Sequence, residues 1–191
     1  MIKMMGLEWR KILGEKIRFS ILGDREGGPS VFLESNKFSY AGKFIGNDTG
    51  KILAKNGEKI IAALSFSGDR NDKEVVWIRY VVVEKNLRGK GIGPTLLSYA
   101  VESLMGQVRL VKIATNNVFA YRASYKSGFE YTGKKTGILE LVLECPSAQT
   151  RERYLEGIEV FRSVKSLTDE EVEFVSKEDI KNMPTKTLFS F

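Results

Sequence analysis

The stretch Glu74 to Leu104, EVVWIRYVVVEKNLRGKGIGPTLLSYAVESL, constrains the fold more than any other part of the chain. Its first third, Glu74–Glu84, is a long β-branched and aromatic run, as in a strand near the centre of a sheet. Its last third places Leu96, Leu97, Ala100, Val101 and Leu104 at helical spacing, so one helix face is apolar. Between them Gly89, Gly91 and Gly93 alternate with Lys90 and Ile92. Glycine lets a backbone turn sharply and lets a ligand come close. The unpaired N–H groups and dipole of a helix start then form a site for phosphate-like anions, and Arg88 and Lys90 add positive charge beside it. The loop suits a pyrophosphate; the plainer alternative is a tight strand-to-helix turn with glycines for steric reasons only. Two other phosphate motifs do not fit. The third glycine comes one residue early for a dinucleotide fingerprint, and there is no G-x-x-x-x-G-K-[ST].

The surrounding segments supply a sheet. KIRFSIL (Lys16–Leu22) alternates Ile17, Phe19 and Ile21 with polar neighbours, a strand pattern. Residues 23–50 are rich in Gly, Ser, Asn and Asp and show no clear period. Asn56-Gly57 between apolar runs predicts a hairpin, because both residues tolerate positive φ. VRLVKIAT (Val108–Thr115) reads as a strand, NVFAYRASYKSG as a short helix stopped by Gly128, and FEYTGKKTGILELVLE as two strands around a turn. The order predicts an α/β (α+β) fold on a mixed sheet over residues 1–145. Residues 146–191 form a C-terminal extension. RERYLEGIEVFRSVKSL is helical or mixed. Thr168-Asp-Glu-Glu171 opens a further helix with a capping box and with Val172, Val175 and Ile180 on its apolar side, and TLFSF closes the chain as an apolar strand.

Composition narrows the chemistry. The 191 residues contain no histidine, which excludes Ser-His-Asp and Cys-His catalysis, His-ligated zinc and an imidazole base; no metal site is expected. The single cysteine, Cys145, allows no internal disulfide and suits a reducing compartment. The N-terminus lacks an apolar export core and no run approaches the ~18 residues of a membrane helix, so a cytoplasmic protein without a membrane partner is expected. Residues 1–145 carry 23 Lys and Arg against 15 Asp and Glu, a basic body that could meet an anionic cofactor, an acidic substrate or nucleic acid. No dense Lys/Arg block or aromatic-interleaved motif supports nucleic acid as the partner.

Two motifs together resemble the GNAT acetyltransferase superfamily. VVVEKNLRGKGIGPTLL is similar to its central R-x-x-G-x-G motif after a valine-rich strand. NNVFAYRASYKSGFEYTG, about 25 residues on, resembles its second motif: an Asn, an Ala three on, an aromatic helix, then Gly-Phe. The likeness covers about residues 51–144. It implies a mostly antiparallel sheet flanked by helices, acetyl-CoA or another acyl-CoA as cosubstrate, and direct acyl transfer to an amine-bearing acceptor, small molecule or protein. It further implies that the backbone of Val81, Val82 and Val83 pairs with the pantetheine arm. The N–H groups from Arg88 through Gly89, Lys90, Gly91, Ile92 and Gly93 to Thr95 would hold the pyrophosphate, and Asn117 would lie near the thiol end.

This sequence departs from the family pattern at two places. Pro94 follows Gly93 where an N–H donor is usual; its fixed φ suits a first helical turn, so it is expected to start the helix and give the cofactor nothing, with Thr95 compensating. The family's frequent thiolate-protonating tyrosine stands four residues before the glycine, which here is Ser124. Tyr125 lies one residue later and Tyr121 three earlier, and one helical step is ~100°. The acid is therefore Ser124, a water, Tyr125 on an offset helix or Tyr121 from one turn back; core packing is the alternative for both tyrosines. Glu74 is the candidate base, with Tyr80 on the same strand, and Glu84 reads as a solvated loop residue. The extension is expected to cover the acceptor site or to build a homodimer. A reading from another class is a catalytically inactive CoA-binding regulatory or scaffold module.

Overall fold

The computed structural model describes residues 8–12, 14–137, 139–148, 150–179 and 181–185. The expected strand TLFSF and the expected apolar contact of Ile180 lie outside them. The chain forms two compact units that divide between Val111 and Lys112.

In the first unit β1 (Glu8–Ile12), β2 (Glu15–Leu22), β3 (Gly50–Asn56), β4 (Lys59–Gly68) and β5 (Val75–Val83) form an antiparallel meander. The Asn56-Gly57 hairpin is present, with Gly57 at φ 58°. The helix α1 (Ile92–Met105) packs on one sheet face, where Phe19 stacks on Tyr99 at 4.8 Å between ring centroids. The opposite face is covered by the long connection between β2 and β3. Val31, Leu33, Phe38, Ala41 and Phe44 of that connection bury Leu53, Ala63 and Val82. The connection therefore makes its own apolar layer despite its polar composition. Lys51 anchors its return: the side chain is fully buried and its Nζ donates to the carbonyls of Gly46 and Thr49. Burial pushes the Lys51 ammonium below its ordinary pKa, against the opposing pull of Asp48.

β6 (Leu110–Thr115) carries the chain across the division. The second unit holds α2 (Val118–Lys126), the antiparallel pair β7 (Glu130–Thr136) and β8 (Glu140–Cys145), α3 (Arg151–Arg162) and α4 (Asp169–Lys177). Gly128 stops α2 at φ 93°, and its N–H reaches the Tyr125 carbonyl at 3.1 Å. The turn of the β7–β8 pair falls at Gly137 rather than at the Gly133-Lys134-Lys135 stretch, which lies within β7 beside a register shift. The capping box of Thr168 and Glu171 is formed in full. Val172 is a correction: it is 51% exposed, because Phe174 packs on Phe119 and Val175 and Glu178 are buried, which turns Val172 about a third of a turn away at ~100° per residue.

The fold is thus mixed α/β, with a mostly antiparallel sheet, flanking helices and a helical C-terminal part. No helix among the described residues is long and apolar enough to cross a membrane. Among the same residues no cluster of three or more acidic or Cys side chains could hold a metal ion.

The tightest packing in the second unit joins α2 to α3. Tyr121 is fully buried, stacks on Tyr154 and meets Phe161 edge-on. A Cβ on Gly157 would lie 2.1 Å from the Tyr121 hydroxyl oxygen and 2.4 Å from Cζ. Gly157→Ala is expected to destabilise by about 1–3 kcal/mol, read as a lower urea midpoint, because the ring has no space to yield. Burial also raises the Tyr121 and Tyr154 phenols, Tyr154 further by its bond to Glu178, and pushes the Cys145 thiol up to about 11. All three groups are neutral when folded and ionise more easily once unfolded, so their contribution is full at neutral pH and falls as pH rises above ~9, Cys145 losing its share by about pH 11 and the tyrosines theirs from ~10 upward. The urea midpoint should fall across that window, and Cys145→Ala should shift the start of the fall upward.

Candidate functional site

The end of β5, the loop that follows and the first turn of α1 form one continuous arrangement in the first unit. Opposite Ser65 and Phe66 of β4, β5 presents Tyr80 and Ile78, so Arg79 is an extra residue and β5 carries a β-bulge there. A bulge bends its strand, sharpens the twist and locally interrupts the ladder. The three residues between the bulge and the strand end are Tyr80's successors Val81, Val82 and Val83. Val82 is buried toward the covering connection, whereas Val83 faces α1, its Cγ2 lying 3.6 Å from where a Gly93 Cβ would be.

Glu84 ends the strand, and here the sequence expectation fails: the residue is 3% exposed rather than solvated. Its Oε1 accepts from Lys59 Nζ at 2.9 Å, and its N–H donates to the Ile61 carbonyl. Its Oε2 is buried without a hydrogen-bond partner. The next residues fasten the loop to the covering connection. The Lys85 N–H and Nζ donate to the carbonyls of Lys37 and Asn36, and Arg88 Nη2 donates to Ser39 Oγ at 2.8 Å. The Arg88 guanidinium, expected beside a phosphate, is thus partly engaged as a strut.

Gly89 and Gly91 adopt left-handed φ of 75° and 82°, a conformation that side chains resist. Gly91 is the N-cap of α1, and no side chain caps that end and no carboxylate stands in its first turn. The N–H groups of Gly89 to Gly93 meet no acceptor among the described residues. Helix geometry leaves first-turn donors unpaired, and the positive end of the dipole sits among them. Gly93 differs from its two neighbours. Its φ is ordinary and its Cβ would meet only an ordinary contact, so the chain's own structure does not require glycine there.

Pro94 stands at the third helical position rather than the first, since α1 begins at Ile92. The left-handed Gly91 starts the helix two residues earlier, and Pro94 still occupies the first turn, where its missing N–H breaks no helical bond. Thr95, expected to compensate, has its N–H and hydroxyl both donating to the Gly91 carbonyl, at 3.2 and 2.9 Å.

Glu74 is not brought to this arrangement. It precedes β5 at the far end, five residues or roughly 16 Å along the strand from Arg79, and its carboxylate is exposed and paired with Arg109. The remaining candidates lie on α2 in the second unit. Asn117 is the N-cap, accepting from the Ala120 N–H at 2.8 Å. Ser124 is buried and donates to the Ala120 carbonyl at 2.9 Å. The Tyr121 hydroxyl donates to the Tyr154 carbonyl at 3.0 Å and also lies near that of Arg153. Tyr125 is buried against the Tyr154 ring at 4.5 Å, its phenol raised by burial and by Glu130. Sequence reasoning missed the bulge, since a register shift depends on the partner strand. It also missed the buried Glu84, whose only signal was its place directly after an apolar run.

The two kinds of glycine separate in a denaturation experiment. Gly91→Ala should destabilise by about 1–2 kcal/mol because it forces a left-handed alanine. Gly93→Ala should leave stability unchanged or raise it by up to ~1 kcal/mol.

No curated protein matches the chain. Among solved structures, a Pyrococcus horikoshii OT3 protein shares 29% identity over 49% of this chain and 62% of its own, with a TM-score of 0.43. The chain therefore spans less than two thirds of that relative. An IAA acetyltransferase from Bacillus cereus ATCC 14579 shares 24% identity over 50% of this chain and 76% of its own, at a TM-score of 0.44. A Bacillus subtilis acetyltransferase in complex with CoA shares 18% over 50% and 75%, also at 0.44. The family described as Acetyltransferase (GNAT) matches residues 20–129, more than half of the chain. That span takes in the covering connection, the bulged strand, the glycine loop and α2, and the chain belongs to the GNAT acetyltransferase family.

Proposed function

We propose that the chain is an N-acyltransferase that takes an acetyl group from acetyl-CoA and delivers it to an amine. The observation that carries this reading is the row of N–H groups from Gly89 to Gly93 without acceptors, in front of an uncapped helix start. Five donors and a helix dipole fit the oxygens of a pyrophosphate, and the bare Gly93 lets those oxygens approach. Acetyl-CoA, when bound, supplies a thioester whose carbonyl carbon an amine attacks to give an amide and the free CoA thiol.

The chain's own part is to bind and orient. Gly89, Lys90, Gly91, Ile92 and Gly93 provide backbone donors, and Lys90 adds an exposed charge. The β5 backbone at Val81 to Val83 pairs with Ala62 to Leu64 of β4 along one edge, and its other edge is the one proposed for the amide groups of a pantetheine arm. Asn117 is the residue of α2 proposed to lie toward the thiol end. A neutral amine is needed for attack, so a base or a water must take its proton.

A second reading, a CoA-binding module without catalysis, has a specific observation behind it. The hydroxyls of Ser124 and Tyr121 are already committed to backbone carbonyls, and Glu74 is tied to Arg109 far from the bulge. Proton transfer by Tyr121 would require breaking its bond to Tyr154. Release of free thiol from acetyl-CoA with a panel of amines separates the two readings: turnover supports transfer, and saturable binding with no thiol release supports the module.

Gly93→Asp tests the binding site, because its two effects have opposite signs. A carboxylate in the first helical turn should stabilise α1 by about 0.3–1 kcal/mol while repelling a pyrophosphate. Calorimetry should show acetyl-CoA affinity weakened at least tenfold with no fall in Tm. Unchanged affinity would remove the loop from the reading.

A further inference from the structure

The sheet face opposite α1 contains a row in which polar Lys51 and Ser65 stand between Leu22 and Tyr80, both packed on the core. Residues directly opposed across antiparallel strands share a face, and one such row runs Leu22, Lys51, Ser65, Tyr80. Lys51 is satisfied by two carbonyls, as described. Ser65 is fully buried and its Oγ has no hydrogen-bond partner. Buried hydroxyls are normally paired, and this one finds no protein partner among the described residues. It lies directly opposite Tyr80, beside the extra residue of the bulge.

Around Tyr80 the covering connection presents unusual groups. Tyr40 has φ 56°, the only left-handed non-glycine among the described residues, and is 68% exposed. Its ring centroid is 6.1 Å from that of Tyr80, and Lys43 Nζ is 5.7 Å from the Tyr80 ring. Strained backbone held to expose an aromatic ring is a feature that clusters at binding sites. On the adjacent position Arg79 donates to Ser67 Oγ at 2.8 Å and lies 5.7 Å from the Trp77 ring. Neither Lys43 nor Arg79 pairs with a carboxylate among the described residues.

Two cations without carboxylate partners, beside the exposed Tyr40 ring and the partly buried Tyr80 ring, repel a bare amine and attract an anion. The planar fork of Arg79 matches a carboxylate in particular. We infer that Arg79, Lys43, Tyr40 and Tyr80 form a subsite for the anionic end of the acyl acceptor, so that the acceptor is an amine that also carries a carboxylate. The inference rests on the acyl-transfer reading for its context but not for its test.

The test compares L-amino acids with their carboxamides, glycine and phenylalanine among them, as acceptors of acetyl-CoA. The acids should be preferred at least tenfold in kcat/KM, and Arg79→Gln and Lys43→Gln should each reduce that acid-to-amide ratio about tenfold. Both residues are exposed, so the variants should fold. A wild-type ratio near one, or a ratio unmoved by both substitutions, would overturn the subsite. A second arm needs no turnover. In the Trp9→Phe protein Trp77 is the sole tryptophan, and its fluorescence is titrated with the same acids and amides in the presence of CoA. A saturable response to acids alone, without turnover, supports the subsite and removes acyl transfer. Turnover of amides without acid preference or Trp77 response removes the subsite and leaves acyl transfer standing. Neither turnover nor response removes both.

Discussion

Backbone N–H groups that the protein itself cannot satisfy organise this molecule. Among the described residues, five consecutive donors at the start of α1, Gly89 to Gly93, meet no acceptor, while α2, α3 and α4 are capped by Asn117, Thr150 and Thr168. A cap at Gly91 would be worth on the order of 1 kcal/mol to the helix, and the chain forgoes it. It also accepts two left-handed glycines and a proline within six residues. Such a helix start is stable only because Leu96, Leu97, Ala100 and Val101 bury its far face against the sheet. Tertiary packing supplies what local capping does not.

The bulge at Arg79 performs the complementary task on the strand side. A regular β5 would keep one alternation from end to end. One extra residue sets Trp77 opposite Ser67 and Tyr80 opposite Ser65, so two β5 residues three apart share the face of two β4 residues two apart. The same shift places Arg79 and Tyr80 next to each other at the bulge, with Arg79 bonded to Ser67 and Tyr80 beside Tyr40 and Lys43.

Much of this was legible in the residues. The strand–glycine–helix stretch, the Asn56-Gly57 hairpin, the Gly128 stop and the Thr168 capping box all rest on local chemistry, and each appears where that chemistry puts it. What was not legible depends on distant partners. Glu84 reads as a loop residue until Lys59 and the Ile61 carbonyl are seen to hold it. Thr95 reads as a spare donor until the Gly91 carbonyl takes both its hydrogens. Residues 23–50 show no period because their apolar residues sit one by one along a non-repeating backbone, and Phe38 and Phe44 become core only through the sheet beneath them. Val172 follows the same logic: spacing proposes a face, and the neighbours choose it.

The ties from Lys85 and Arg88 to Asn36, Lys37 and Ser39 have a mechanical meaning. They make the glycine loop and the segment bearing Tyr40 and Lys43 parts of one clamp, joined within four residues of both. Any coupling through these ties is reciprocal, so whatever factor an occupant of one half imposes on the affinity of the other half is returned by the occupant there.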